Sequence, residues 1–125
     1  MELEFEIVIP IRYSKVPHKD DVGYNAMIYI PTWQATDKWD GIQRQISVFI
    51  HETMRDYMSH QPGINPPWIY EHGYYRKVYH NDSLKQLEEV VDGELQRLEV
   101  FFKQAMGNYM YDKEKRIRLK FKEGV

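Results

Sequence analysis

The sequence predicts an α+β fold: an antiparallel-rich sheet of four to five strands with two helices on one face, in the order ββαββαβ. Three observations carry this. Both ends of the chain alternate apolar and charged residues with period two, the pattern of half-buried strands. Two internal stretches carry apolar residues at helical spacing, each opened by a capping-box pair. Between them, His72-Gly73 separates two aromatic runs by the two residues that a tight hairpin needs.

Strand one spans about 2–13, where Leu3, Phe5, Ile7, Ile9 and Ile11 alternate with Glu2, Glu4, Glu6 and Val8. Residues 14–22 hold Pro17, His18, Asp20 and Asp21 and read as a loop. A second strand follows at 24–30 and closes at Pro31. Asp40 with Gln43 opens a helix to about 59, its stripe formed by Ile42, Ile46, Phe49, Ile50, Thr53 and Tyr57. Pro62, Gly63, Pro66 and Pro67 stop it.

Runs 68–71 and 74–80 form the hairpin. Ser83 with Gln86 opens a second helix whose stripe is Leu84, Leu87, Val91, Leu95, Leu98, Phe102 and Ala105. Gly93 lowers that helix by about 1 kcal/mol relative to alanine without breaking it. Gly107 and Asn108 offer a stop near 106. Glu88, Glu89, Asp92, Glu94 and Glu99 read as its solvated acidic side, with Glu99 and Lys103 as an i,i+4 pair. The last strand alternates Ile117, Leu119 and Phe121 with Arg116, Arg118, Lys120 and Lys122.

Removing one of the first two strands leaves βαββαβ, so the order is a variant of the ferredoxin-like, split-βαβ arrangement. That topology places the last strand antiparallel beside the first. The glutamates of one end and the cations of the other favour the same neighbours.

At 125 residues the chain is one expected domain, 1–125. It has no cysteine, which excludes disulfides and thiolate metal sites. Net charge is −2, so there is no bulk attraction to nucleic acid or acidic membranes. No apolar run reaches the ~18 residues of a membrane span, and the glutamate-rich start lacks the pattern of a signal peptide. A cytoplasmic setting with no membrane association is expected.

Several groups of residues are of types that can carry chemistry. Arg44 and His51 resemble the R-x4-6-H signature of HEPN-type ribonucleases, which implies a nuclease cleft between helical subunits. Gln45 stands where that family has a small polar residue, and the flanks here are β-rich. His51-Glu52 lacks the second histidine of a zinc-protease pair, because Arg55 holds its position. His72, His80 and Asp82, or His18, Asp20 and Asp21, have donor types for a divalent ion, yet Asp82 doubles as a helix-cap residue. No cofactor, metal or catalytic set is assigned.

The hairpin segment at Gly73, Tyr74 and Tyr79 resembles the RNP1 element of RNA-recognition motifs, which implies base stacking on strand aromatics. Arg76 and Lys77 depart from that pattern where an aromatic and an aliphatic residue belong.

The resulting expectation is a non-catalytic binding protein, a regulator or inhibitor of the phage or mobile-element kind, with another protein as partner. Tyr74, Tyr75, Arg76, Lys77 and Tyr79 are its expected partner contacts. The second helix, about 36 Å long over 83–106, outruns the strands. Phe101, Phe102, Met106, Tyr109 and Met110 at its end are therefore the expected contact of a homodimer. The alternative is a single-stranded RNA- or DNA-binding protein using the same hairpin. A third is a small metal-dependent nuclease using His51 or Asp82.

Overall fold

A computed structural model describes the backbone of residues 2–17, 22–33, 40–60, 67–113 and 116–124, and the side chains of 7–15, 23–33, 44–60 and 67–106. The elements are β1 (Glu2–Pro17), β2 (Val22–Pro31), α1 (Asp40–Ser59), β3 (Ile69–Glu71), β4 (Tyr74–Asn81), α2 (Leu84–Lys113) and β5 (Arg116–Gly124). The fold is α+β, with β1, β2, β4 and β3 joined antiparallel and two helices on one face.

The sheet order is β3-β4-β2-β1-β5. The two ends of the chain do lie side by side, with Glu4 in register with Arg118 and Glu6 with Lys120, but they run parallel. This corrects the antiparallel pairing expected from the ferredoxin-like order. The reason is parity. Each helix returns the chain to a strand parallel with the one before it, so β5 runs with β4 and against β2. Because β1 is the hairpin partner of β2, it also runs against β2. Inserted between β2 and β5, β1 must then be parallel to β5.

Alternation along the strands builds one covered face. Ile7, Ile9 and Ile11 of β1, Ala26, Ile28 and Ile30 of β2, and Tyr75 and Lys77 of β4 are all buried. Register aligns Ile28 with Lys77 and Ile30 with Tyr75. From above, α1 contributes Ile46, Phe49, Ile50, Met54 and Tyr57, while α2 contributes Leu87, Val91, Leu95, Leu98 and Phe102. Phe49 and Phe102 meet edge to face across the helices, their centroids 5.8 Å apart, a geometry that the ring quadrupoles favour.

Local chemistry sets the element ends. Ser83 caps α2, its Oγ accepting from the Gln86 N–H at 3.3 Å, and Asn81 Oδ1 accepts from the Ser83 N–H at 2.9 Å. His72 (φ 52°) and Gly73 (φ 82°) both have positive φ, as a type I′ hairpin requires. The Gly73 carbonyl accepts both the Thr32 N–H at 2.9 Å and the Thr32 hydroxyl at 3.0 Å, tying the turn to the end of β2.

Helix α2 runs through Gly107 and Asn108 to Lys113, beyond the expected stop. A glycine ends a helix where the chain takes a left-handed turn; inside a helix it costs only about 1 kcal/mol. At 30 residues, α2 is about 45 Å long. Among the described residues, no helix is long and apolar enough to cross a membrane.

Candidate binding sites on two faces of the domain

Strand β4 divides the residues singled out on the hairpin between the two sides of the sheet. Tyr75, Lys77 and Tyr79 share the face beneath the helices, whereas Tyr74 and Arg76 share the open face. Partner contact through Tyr75 or Lys77 would require the helices to lift, since these residues are 5% and 1% exposed. The divided pattern explains why neither alternating set of this strand is uniformly apolar.

On the open face, the ring of Tyr29 meets Tyr74 edge to face at 6.0 Å, and the Arg12 guanidinium lies 5.8 Å from the Tyr29 centroid. Arg76 pairs with Glu71 at 3.0 Å. Register extends the row through Ile69 opposite Arg76, Met27 opposite Val78 and Arg12 opposite Met27. Tyr74 is 43% exposed and Ile69 45%. The result is a surface of aromatic and aliphatic groups with two arginines, uncovered by either helix.

Beneath the helices lies a buried charge cluster. Lys77 enters from β4 and Glu94 from α2, with Nζ and Oε1 3.4 Å apart. The same Oε1 accepts from Trp68 Nε1 at 3.0 Å, and Oε2 accepts from Arg97 Nη2 at 2.7 Å. Glu94 had the appearance of a solvated acid, yet it is fully buried. The Lys77 ammonium also lies 4.9 Å from the Tyr79 ring centroid and 5.7 Å from that of Trp68, within cation–π range.

Burial lowers the Lys77 pKa, and the neighbouring Glu94 carboxylate opposes that shift. Burial, reinforced by Glu94, raises the Tyr79 hydroxyl far above its ordinary range. The bond to Glu94 raises Arg97, a fixed cation at any ordinary pH.

Above this cluster, α1 and α2 border an open groove of about 470 Å³ lined by Tyr57, His60, Gly93, Arg97, Val100 and Phe101, together with Gln96 and Gln104. Phe101, expected at a dimer contact, meets Tyr57 edge to face at 5.2 Å. Phe102 and Met106 belong to the core; the side chains of Tyr109 and Met110 lie outside the described residues.

The remaining candidates separate. His51 is half-buried: Tyr75 Oη and His51 Nδ1 are 2.9 Å apart, and the Tyr70 and Tyr75 rings flank the imidazole. Burial, then Arg55, lowers its pKa, favouring a neutral ring. Arg44 is exposed. His80 sits between Asn25 at 2.8 Å and Asp82 at 3.7 Å, whereas His72 pairs with Glu71 at the far end of β4. Among the described residues, no group of three or more His, Asp or Glu side chains could hold a metal ion.

No protein-family model, curated protein or solved structure matches this chain.

Proposed function

We infer that the protein is a binding module that regulates or inhibits another protein by contact, through the open face of its sheet. The observation carrying this reading is the cluster of Tyr29, Tyr74, Arg12 and Arg76 with Ile69, Met27 and Val78. Tyrosine and arginine over an aliphatic floor is the composition of energetically dominant protein contacts. A nucleic-acid surface would carry more cations and fewer aliphatic groups. Topologically, this reading treats β2-α1-β3-β4-α2-β5 as a split-βαβ core with β1 inserted beside β2. Lack of cysteine suits a cytoplasmic setting.

The test is affinity capture with wild type and with Tyr74→Ala and Arg76→Ala, each after nuclease treatment. One discrete protein, retained by wild type and lost with either variant, is the expected result. Capture insensitive to both substitutions would contradict it. A nucleic acid released by salt would instead support the RNA- or DNA-binding alternative.

A further inference from the structure

The groove between α1 and α2 has features that core packing does not require. Gly93 stands in the interior of a helix, where alanine would be more stable by about 1 kcal/mol. Its bare backbone lines the groove, and a Cβ there would come within 3.4 Å of Arg97 Nη1. Helix stability is thus given up where a methyl group, in ordinary contact with the guanidinium, would raise the floor of the groove.

The walls are apolar and flat. Tyr57 and Phe101 meet edge to face at 5.2 Å, and Val100 is 56% exposed. The charge is one-sided. Among the described lining residues, Arg97 carries the only fixed charge, while Gln96 and Gln104 supply amides. Behind it, the charges of Lys77 and Glu94 offset each other. Glu94 engages Nη2 of Arg97 and Tyr57 also bonds the guanidinium, which has five N–H donors in all. A cation anchored from behind, beside aromatic walls and an open floor, complements an anion on a flat apolar body. The volume of about 470 Å³ is that of a small-molecule site.

We propose that this groove binds a small aromatic carboxylic acid, with its carboxylate on Arg97 and its ring system over Gly93, against the wall that Tyr57 and Phe101 form together. The site lies on the helix side of the domain, so it is independent of the contact surface assigned to the sheet.

The test titrates the ¹⁵N-labelled full chain with 2-naphthoate and with the neutral isostere 2-naphthamide, following the amides of Gly93, Arg97, Val100 and Phe101. Saturable shifts with naphthoate, at least about tenfold weaker binding of naphthamide (1.4 kcal/mol), and loss of binding in Arg97→Gln are expected. Gly93→Ala keeps the cation and the fold. It should melt at a higher temperature than wild type while binding naphthoate at least about tenfold more weakly. That variant decides the matter even if Arg97→Gln fails to fold. No saturable shift with naphthoate, equal binding of the amide, or unaltered binding by Gly93→Ala would each overturn the proposal. So would shifts at these amides that grow with protein concentration alone, because a second copy would then occupy the groove.

Discussion

Lys77 of β4 and Glu94 of α2 form an ion pair 3.4 Å long inside the core, each at most 1% exposed. Lone buried charges are costly, so removing either partner tests what else holds the other. The partnership is unequal. Glu94 also receives Trp68 and Arg97, whereas Lys77 has no second carboxylate among the contacts described. Glu94→Gln, which strands the ammonium, should therefore destabilise the protein by about 3 kcal/mol. Lys77→Met leaves Glu94 with Arg97 and Trp68 and should cost about 1 kcal/mol or less. Urea denaturation of both variants checks the asymmetry; equal losses would contradict it.

The β3–β4 turn offers a cleaner backbone test. Nothing lies within 4 Å of a Cβ built at Gly73, so Gly73→Ala meets no steric clash and suffers only from its φ of +82°. The expected loss is about 1 kcal/mol. His72→Asn should gain a few tenths of a kcal/mol, because asparagine accepts the left-handed region more readily. Thermal melts of the two variants should move in opposite directions.

Acid stability should depend on His51. Its folded pKa lies below 6.5, while the unfolded ring titrates near that value. Below pH 6.5 the unfolded state consequently binds more protons, and stability falls as pH falls. Arg55 from α1 adds to this, and Tyr70 and Tyr75 from the hairpin are the other titratable groups against the ring. In His51→Gln, the loss of stability between pH 6.5 and 5 should be shallower than in wild type.

Alkaline stability follows the opposite sign at Tyr79. The hydroxyl is raised above the ordinary tyrosine value of 10, so its contribution is intact below pH 10 and lost as pH climbs beyond it. Lys77, lowered from 10.5, works the other way in the range below 10.5, where stability rises with pH. Tyr79→Phe should remove the tyrosine component, leaving a flatter stability profile above pH 10 in denaturation experiments.

Much of the architecture was legible because it rests on periodicity. The stripe from Ile46 to Tyr57 is buried as its spacing implied, and Ser83 caps α2 as the capping box implied. The hairpin at His72-Gly73 follows from its two-residue connection. Strand direction was not legible in the same way. Alternating residues define a face, and opposite charges favour neighbours, but both hold equally for parallel and antiparallel pairs; only the connectivity through α2 decides.

The candidate sites were legible in part. Tyr74 and Arg76 do stand on an open face, while Tyr75, Lys77 and Tyr79 turn inward, because side chains alternate and the run alone does not say which set is covered. The buried pair did leave a trace. Glu94 falls on the stripe through Leu87, Val91 and Leu98, and Lys77 falls two residues from Tyr75 on the covered face. Glu94 reads as a solvated acid and Lys77 as a partner contact because neither pattern shows that two opposite charges occupy facing apolar positions. The groove around Arg97 is tertiary, and only Gly93 inside a helix hinted at it.

The central claim is that the open sheet face meets another protein. The most direct measurement places a photocrosslinking phenylalanine analogue at position 74 and, as a control, at Val90 on the exposed side of α2. Irradiation of expressing cells should give one discrete protein adduct at position 74, resistant to nuclease, and none at position 90. No adduct at 74, or an adduct that nuclease removes, would contradict the account.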